Sequence, residues 1–124
     1  MAYSGLGLHA EAAVAYRRAF DAAKQQLLVN PGDVRALYLG AVALARIGRK
    51  REALAWGARA LAIDPEDSSV LYNLACLYAV LSRPHEALRC LRRVVRSGWR
   101  KEWIKNDPDL SSLRDNCEFQ RLLS

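Results

Sequence analysis

Four arginines, Arg89, Arg92, Arg93 and Arg96, stand at i, i+3, i+4 and i+7, a spacing that gathers them on one face of an α-helix. Arg100 and Lys101 extend the run, and Trp99 and Trp103 lie beside it. A second basic group, Arg46, Arg49, Lys50 and Arg51, crowds one turn. Guanidinium groups flanked by indoles contact phosphates and stack on bases, so the chemistry open to this set is polyanion or nucleic-acid binding. No nucleic-acid motif accompanies the stripe, and a solvated outer helix face explains the same pattern. Nucleic acid therefore ranks behind protein as an expected partner.

Catalytic chemistry finds few residues. Glu11, Glu52 and Glu86 recur at equivalent places, which reads as helix-start carboxylates favoured by the helix dipole. Gly5-Leu6-Gly7 lacks the lysine and the preceding strand of a phosphate loop. His9 and His85 fall near helix starts, and no nucleophile has a base at a definable spacing. Cys76, Cys90 and Cys117 form no CxxC, and neither histidine stands at metal-ligand spacing from a cysteine. The expectation is three reduced thiols, no metal, no cofactor and no enzymatic activity.

The elements that position these residues are helices, and two pairs of them nearly repeat. Leu37 and Leu71 lie 34 residues apart, and so do Ala53 and Ala87. Ala36-Leu37-Tyr38-Leu39-Gly40-Ala41 returns as Val70-Leu71-Tyr72-Asn73-Leu74-Ala75, and Arg51-Glu52-Ala53-Leu54 as His85-Glu86-Ala87-Leu88. A period of that length means stacked helix pairs, none of which buries its apolar face alone. The first helix is expected from Leu8 to Leu28, stopped by Asn30-Pro31-Gly32. Asp33 caps a helix over 34–47 that Gly48 ends. Lys50 to Ile63 follows, then a third pair over 69–81 and 84–96, with Pro84 in a first turn. Trp99 to Ser124 offers apolar residues for short helices that cover the open end of the stack.

Composition sets the outer limits. At 124 residues the chain suits one domain, 1–124. Its hydrophobic content of 52% and charged content of 26% describe a globular chain and exclude a disordered one. The formal charge of +6 favours acidic partners without identifying one. No stretch approaches the ~18 apolar residues of a membrane span. Met-Ala-Tyr-Ser-Gly has no basic flank before an apolar core, so no signal peptide is read and the cytoplasm is expected.

These residues resemble the tetratricopeptide repeat, a helix–turn–helix unit with a fixed pattern of large and small side chains. In one unit the pattern falls on Leu37, Gly40, Ala41, Leu44, Ala53, Ala60 and Pro65. In the next it falls on Leu71, Leu74, Ala75, Tyr78, Ala87, Leu91 and Val94. The resemblance implies an all-α superhelical solenoid divided into a partial repeat (1–32), two repeats (33–66 and 67–98) and a capping tail (99–124). Gly40 stands where a large residue is usual, Gly57 where an aromatic is usual, and Trp99 where a proline is usual, with Trp56 placed to compensate. In the first unit Gly7, Ala12, Tyr16 and Ala19 match the turn and second helix, and little precedes them. Ala12 to Pro31 spans 19 residues against 12 from Ala53 to Pro65, so this second helix is expected to be unusually long. The tail resembles the C-terminal ends of repeat arrays in bacterial signalling and regulatory proteins, so the chain is expected to be the end of a larger bacterial protein.

The resemblance also implies a site. In this family the first helix of each pair lines a concave groove, here Arg35, Tyr38, Leu39, Val42 and Arg46, then Tyr72, Asn73, Cys76 and Val80. The implied function is binding of a peptide or protein segment, with Tyr38 and Tyr72 as flat contacts, Asn73 bonding to peptide backbone and Arg35 or Arg46 pairing with a carboxylate. The family's clamp for a partner's terminal carboxylate finds only Asn73, and loosely Arg35, in this sequence. The alternative is a dimerisation or intramolecular regulatory domain, with a homodimer formed through Ala12, Tyr16 and their neighbours. An open concavity lined by Tyr38, Tyr72 and Asn73 would favour peptide binding. A concavity filled by the tail or by a second copy would favour assembly.

Overall fold

The computed structural model describes the backbone of residues 2–124 and the side chains from Ala10 onward. The initial methionine and the side chain of His9 lie outside the described residues. The elements are α1 (Ala2–Val29), α2 (Val34–Ile47), α3 (Lys50–Ile63), α4 (Ser68–Val80), α5 (Pro84–Arg96) and α6 (Lys101–Asn106). A 3₁₀ turn (Pro108–Leu113) and α7 (Cys117–Leu123) complete the chain, and no strand occurs among the described residues. This is an all-α solenoid of helical hairpins.

Local chemistry sets the boundaries. Asp33 accepts the Ala36 N–H at 3.0 Å and starts α2, and Asp67 accepts the Ser69 and Val70 N–H groups at 2.8 and 3.1 Å to start α4. Each satisfies donors that the first helical turn leaves without partners. Gly48 closes α2 at φ +97°, a left-handed conformation that glycine adopts without steric cost. Glu52 pairs with Arg49, and Glu86 with Arg83, across matching helix starts. The first helix differs from expectation. Instead of a turn near Gly7, α1 runs unbroken from Ala2. A helical glycine costs only about 1 kcal/mol, and no proline interrupts this stretch.

The core lies where hairpins nest. Ala41, Ala53, Ala60, Ala75 and Ala87 are fully buried, among Leu37, Leu44, Leu74 and Leu91. α2 packs on α3, α4 on α5, and α2 lies beside α4. The glycine departures have a steric reason. A β-carbon at position 40 would stand 2.7 Å from Trp56 Cε3 and 3.0 Å from Ala23 Cβ. Gly40 thus makes room for the Trp56 indole, which tilts against the Phe20 ring at 5.4 Å between centroids. The large residue missing from α2 is replaced by one reaching in from α3.

The tail packs back onto the hairpins. Ile104, Leu110, Leu113 and Phe119 are buried. The 3₁₀ turn lies on α4 and α7 lies on α5. Ser112 Oγ donates to the Ala79 carbonyl at 3.2 Å, and Arg92 pairs with Glu118 at 2.8 Å.

Candidate functional site

The leading helices α2 and α4 place the expected groove residues on one wall, and the tail divides that wall in two. Over α4 the wall is covered. The Tyr72 hydroxyl donates to the Asp107 carboxylate, and the Tyr72 ring stacks on Trp99 at 4.7 Å. The Trp99 indole N–H donates to Ser68 Oγ at 3.0 Å. Cys76 is buried beneath this cover, with its Sγ and the Asp107 and Asp109 carboxylates within 4.8 Å of one another. Arg46 reaches across to Asp109 at 2.5 Å. Asp107 also accepts the Asp109 N–H at 2.9 Å, so one carboxylate both starts the 3₁₀ turn and holds it to α4.

This cluster locks the tail onto α4. Burial, reinforced by the neighbouring carboxylates, pushes the Cys76 thiol well above its ordinary range, which favours the protonated form. Burial, with the Asp107 hydrogen bond, likewise pushes the Tyr72 hydroxyl up. Arg46 already supplies a cation to Asp109.

Beside α2 the wall is open. A cleft of about 490 Å³ lies between α1 and α2. Tyr16, Ala19, Ala22 and Ala23 of α1 form one side. Ala36, Leu39, Val42 and Ala43 of α2 form the other. Gln26, Asp33 and Arg35 stand at one end, where the Gln26 amide donates to Asp33 at 3.0 Å. Asn73 and Asp109 mark the border with the covered half. Leu39 keeps 44% of its surface exposed, a large apolar side chain left facing the cleft. The Arg46 guanidinium lies 5.9 Å from the centre of the Tyr16 ring.

The nine groove positions therefore separate. Arg35, Leu39, Val42 and Asn73 line the open cleft, and Asn73 also donates to the Ser69 carbonyl of its own helix at 2.9 Å. Arg46 is engaged by Asp109, and Tyr72 and Cys76 lie against the tail. Tyr38 and Val80 are half-buried against the core. Sequence reasoning missed the α1 side of the cleft and the acidic tail segment. The spacing of Tyr16, Ala19, Ala23 and Gln26 was the available signal for the first. For the second it was Asp107-Pro108-Asp109, two carboxylates held close by a proline turn, in a chain whose α4 carries no charged residue.

The arginine stripe is partly committed to structure. Arg92 pairs with Glu118 and Arg93 with Glu66, while Arg89 and Arg96 are exposed on the same helix. Among the described residues no helix is long and apolar enough to cross a membrane.

Comparison with known proteins gives a consistent picture. The pattern described as "Tetratricopeptide repeat" matches residues 1–68, and a second pattern with that description matches residues 58–89. A chloroplastic protein of Arabidopsis thaliana is 39% identical over 61 residues, which covers 48% of this chain and 18% of that protein. The chain thus corresponds to under a fifth of that relative's length. No solved structure matches.

Proposed function

The chain belongs to the tetratricopeptide repeat family, and on that premise we propose that it is a non-catalytic interaction module holding a segment of a partner protein in the cleft between α1 and α2. Repeats of this family mediate protein–protein interaction. One observation carries the placement. The half of the concave wall over α4 is sealed by the chain's own tail, while the half formed by α1 and α2 keeps an apolar cleft with Leu39 exposed in it. An apolar cleft edged by a few polar groups is the usual form of a recognition site. The groove assignment accordingly narrows to Arg35, Leu39, Val42 and Asn73, with Tyr38, Arg46, Tyr72, Cys76 and Val80 building and supporting the wall.

The test compares wild type with Leu39→Glu, in the cleft, and Arg89→Glu, on the outer face, for the proteins each retains from the source cell. The proposal expects Leu39→Glu to lose partners that Arg89→Glu keeps. Retention of the same set by both variants would overturn the cleft assignment.

A second reading is a homodimer through α1 at Ala12, Tyr16 and their neighbours, among them Val14, which is 51% exposed. Sedimentation equilibrium decides it, a monomer at the highest workable concentration removing the dimer. A regulatory role within a larger signalling protein, and residence in the cytoplasm, belong to the same proposal and rest on the family's usual use. Polyanion binding is not favoured, because Arg92 and Arg93 are already paired.

A further inference from the structure

Three aromatic rings and two carboxylates meet where the tail crosses the first half of α4. Tyr72, Trp99, Trp103, Glu102, Asn106 and Asp107 line an open cleft of about 440 Å³ there. It shares no residue with the cleft between α1 and α2. Its back wall is fixed. The Tyr72 and Trp99 rings stack on each other, and the Trp99 indole N–H is held by Ser68 Oγ. Asp107 is held by the Tyr72 hydroxyl and the Asp109 N–H. Trp103 has no comparable structural contact. It is the one exposed aromatic ring among the described residues, with 62% of its surface in water.

The short helix α6 sorts its charges by face. Lys101 donates to the Ser124 carbonyl at 3.2 Å, and Lys105 lines a separate cavity beside Phe119, so both lysines turn toward α7. Glu102, Trp103 and Asn106 turn into the aromatic cleft. Among the described residues no basic side chain lines this cleft, and none forms an ion pair with Glu102. On a chain of formal charge +6 it is an acidic, aromatic patch.

That lining selects its ligand. Indole faces attract cations. Glu102, Asp107 and the Asn106 amide accept hydrogen bonds, so the cation must carry N–H donors, which a quaternary ammonium lacks. A carboxylate has about four acceptor positions, so Asp107 keeps some for a ligand. A lysine ammonium is compact and strongly hydrated. A guanidinium is planar and weakly hydrated, stacks on aromatic rings and bonds carboxylates in pairs. The molecule contains one such contact already, the Arg100 guanidinium 5.4 Å from the centre of the Trp103 ring, and Arg100 is not among the residues that line the cleft. Small-molecule sites enclose most of their ligand. This cleft is open and covers only the tip of a side chain whose backbone continues elsewhere.

We propose that the cleft seats the guanidinium of an arginine on a partner protein. The group lies against Trp103 beside the Tyr72–Trp99 pair and bonds the Glu102 and Asp107 carboxylates. Side chains make these contacts, and the tail stays in place. The proposal stands independently of the reading given to the α1–α2 cleft.

The probe is the capped tripeptide Gly-Arg-Gly, compared with versions carrying lysine or citrulline in place of arginine. Binding to the intact chain is followed by the indole N–H signals in NMR spectra. The proposal expects saturable shifts at Trp99 and Trp103 and none at Trp56, whose ring packs on Phe20. The lysine peptide should bind about threefold or more weakly, and the neutral citrulline peptide about tenfold or more weakly. Glu102→Gln and Trp103→Ala, both at exposed positions, should each weaken the arginine peptide by about fivefold or more with an unchanged melting temperature. Equal binding of the arginine and citrulline peptides, or no saturable shift at Trp99 and Trp103, would overturn the site and leave the α1–α2 cleft untouched. Lysine bound as tightly as arginine would overturn the guanidinium assignment. Free arginine bound about tenfold more tightly than the capped peptide would overturn the protein source in favour of a small guanidino compound.

Discussion

Gly40 and Trp56 show how single residues set the packing of this molecule. Replacing a helical glycine by alanine gains about 1 kcal/mol of helix propensity. Forcing a methyl group into a filled core costs about 1–3 kcal/mol. At position 40 the new carbon meets the Trp56 indole ring and the Ala23 methyl. At position 57 it meets the ends of the Leu77 and Leu74 side chains, at 2.7 and 3.0 Å, both fully buried in the core. Denaturant titration should therefore find Gly40→Ala and Gly57→Ala each no more stable than wild type and destabilised by up to about 2 kcal/mol. Titration of Cys76 and Tyr72 supplies a second residue-scale prediction. Both groups hold their protons more tightly folded than unfolded. Above the ordinary thiol and phenol values of 9.0 and 10.0 the unfolded chain releases protons that the folded chain keeps, so stability falls as pH rises. Melting temperatures taken from pH 7 to pH 11 should decline beyond about pH 9, and the decline should be shallower in Cys76→Ala.

At the scale of elements, the tail is a structural part of the solenoid rather than a removable strap. Ile104, Leu110, Leu113 and Phe119 are all buried, and burying one such side chain contributes about 1.5–3 kcal/mol. The surface ion pair Arg92–Glu118 adds at most about 1 kcal/mol. Apolar burial therefore holds the tail, and charge only sets its register. Ending the chain after residue 106 should expose Cys76 and the α4 wall. Such a variant should melt well below wild type and label readily at Cys76 with a thiol reagent. Arg92→Ala should melt within a few degrees of wild type. A truncated chain with an unchanged melting temperature and an unreactive Cys76 would show that the tail does not carry this weight. α1 is the opposite case, an element with one face packed on α2 and another left open.

Over the whole molecule, the solenoid was legible because its signals are local and repeated. The 34-residue period, the Asp33 cap, Gly48 and the alanine notches each constrain their own neighbourhood. The candidate site was less legible because it depends on where the tail lands. Tyr72 and Asp107 are 35 residues apart and Arg46 and Asp109 are 63 apart, separations at which pattern carries no register. Position along the repeat put Tyr72 on the concave wall but did not reveal that Asp107 and Trp99 would cover it. It assigned Tyr16 and Ala19 to a repeat's second helix without revealing that their uncovered face would form half of a cleft. The resulting molecule has one sealed and one open half of the same wall. Amide hydrogen exchange of the chain, free and saturated with a bound partner, tests that division most directly. The account predicts slower exchange in α1 and α2 around Ala19 and Leu39, with exchange in the 3₁₀ turn and α4 unchanged. Faster exchange at Asp107 to Leu113 with new protection along α4 would contradict it, since the tail would then have been displaced and the partner would occupy the half that the tail covers.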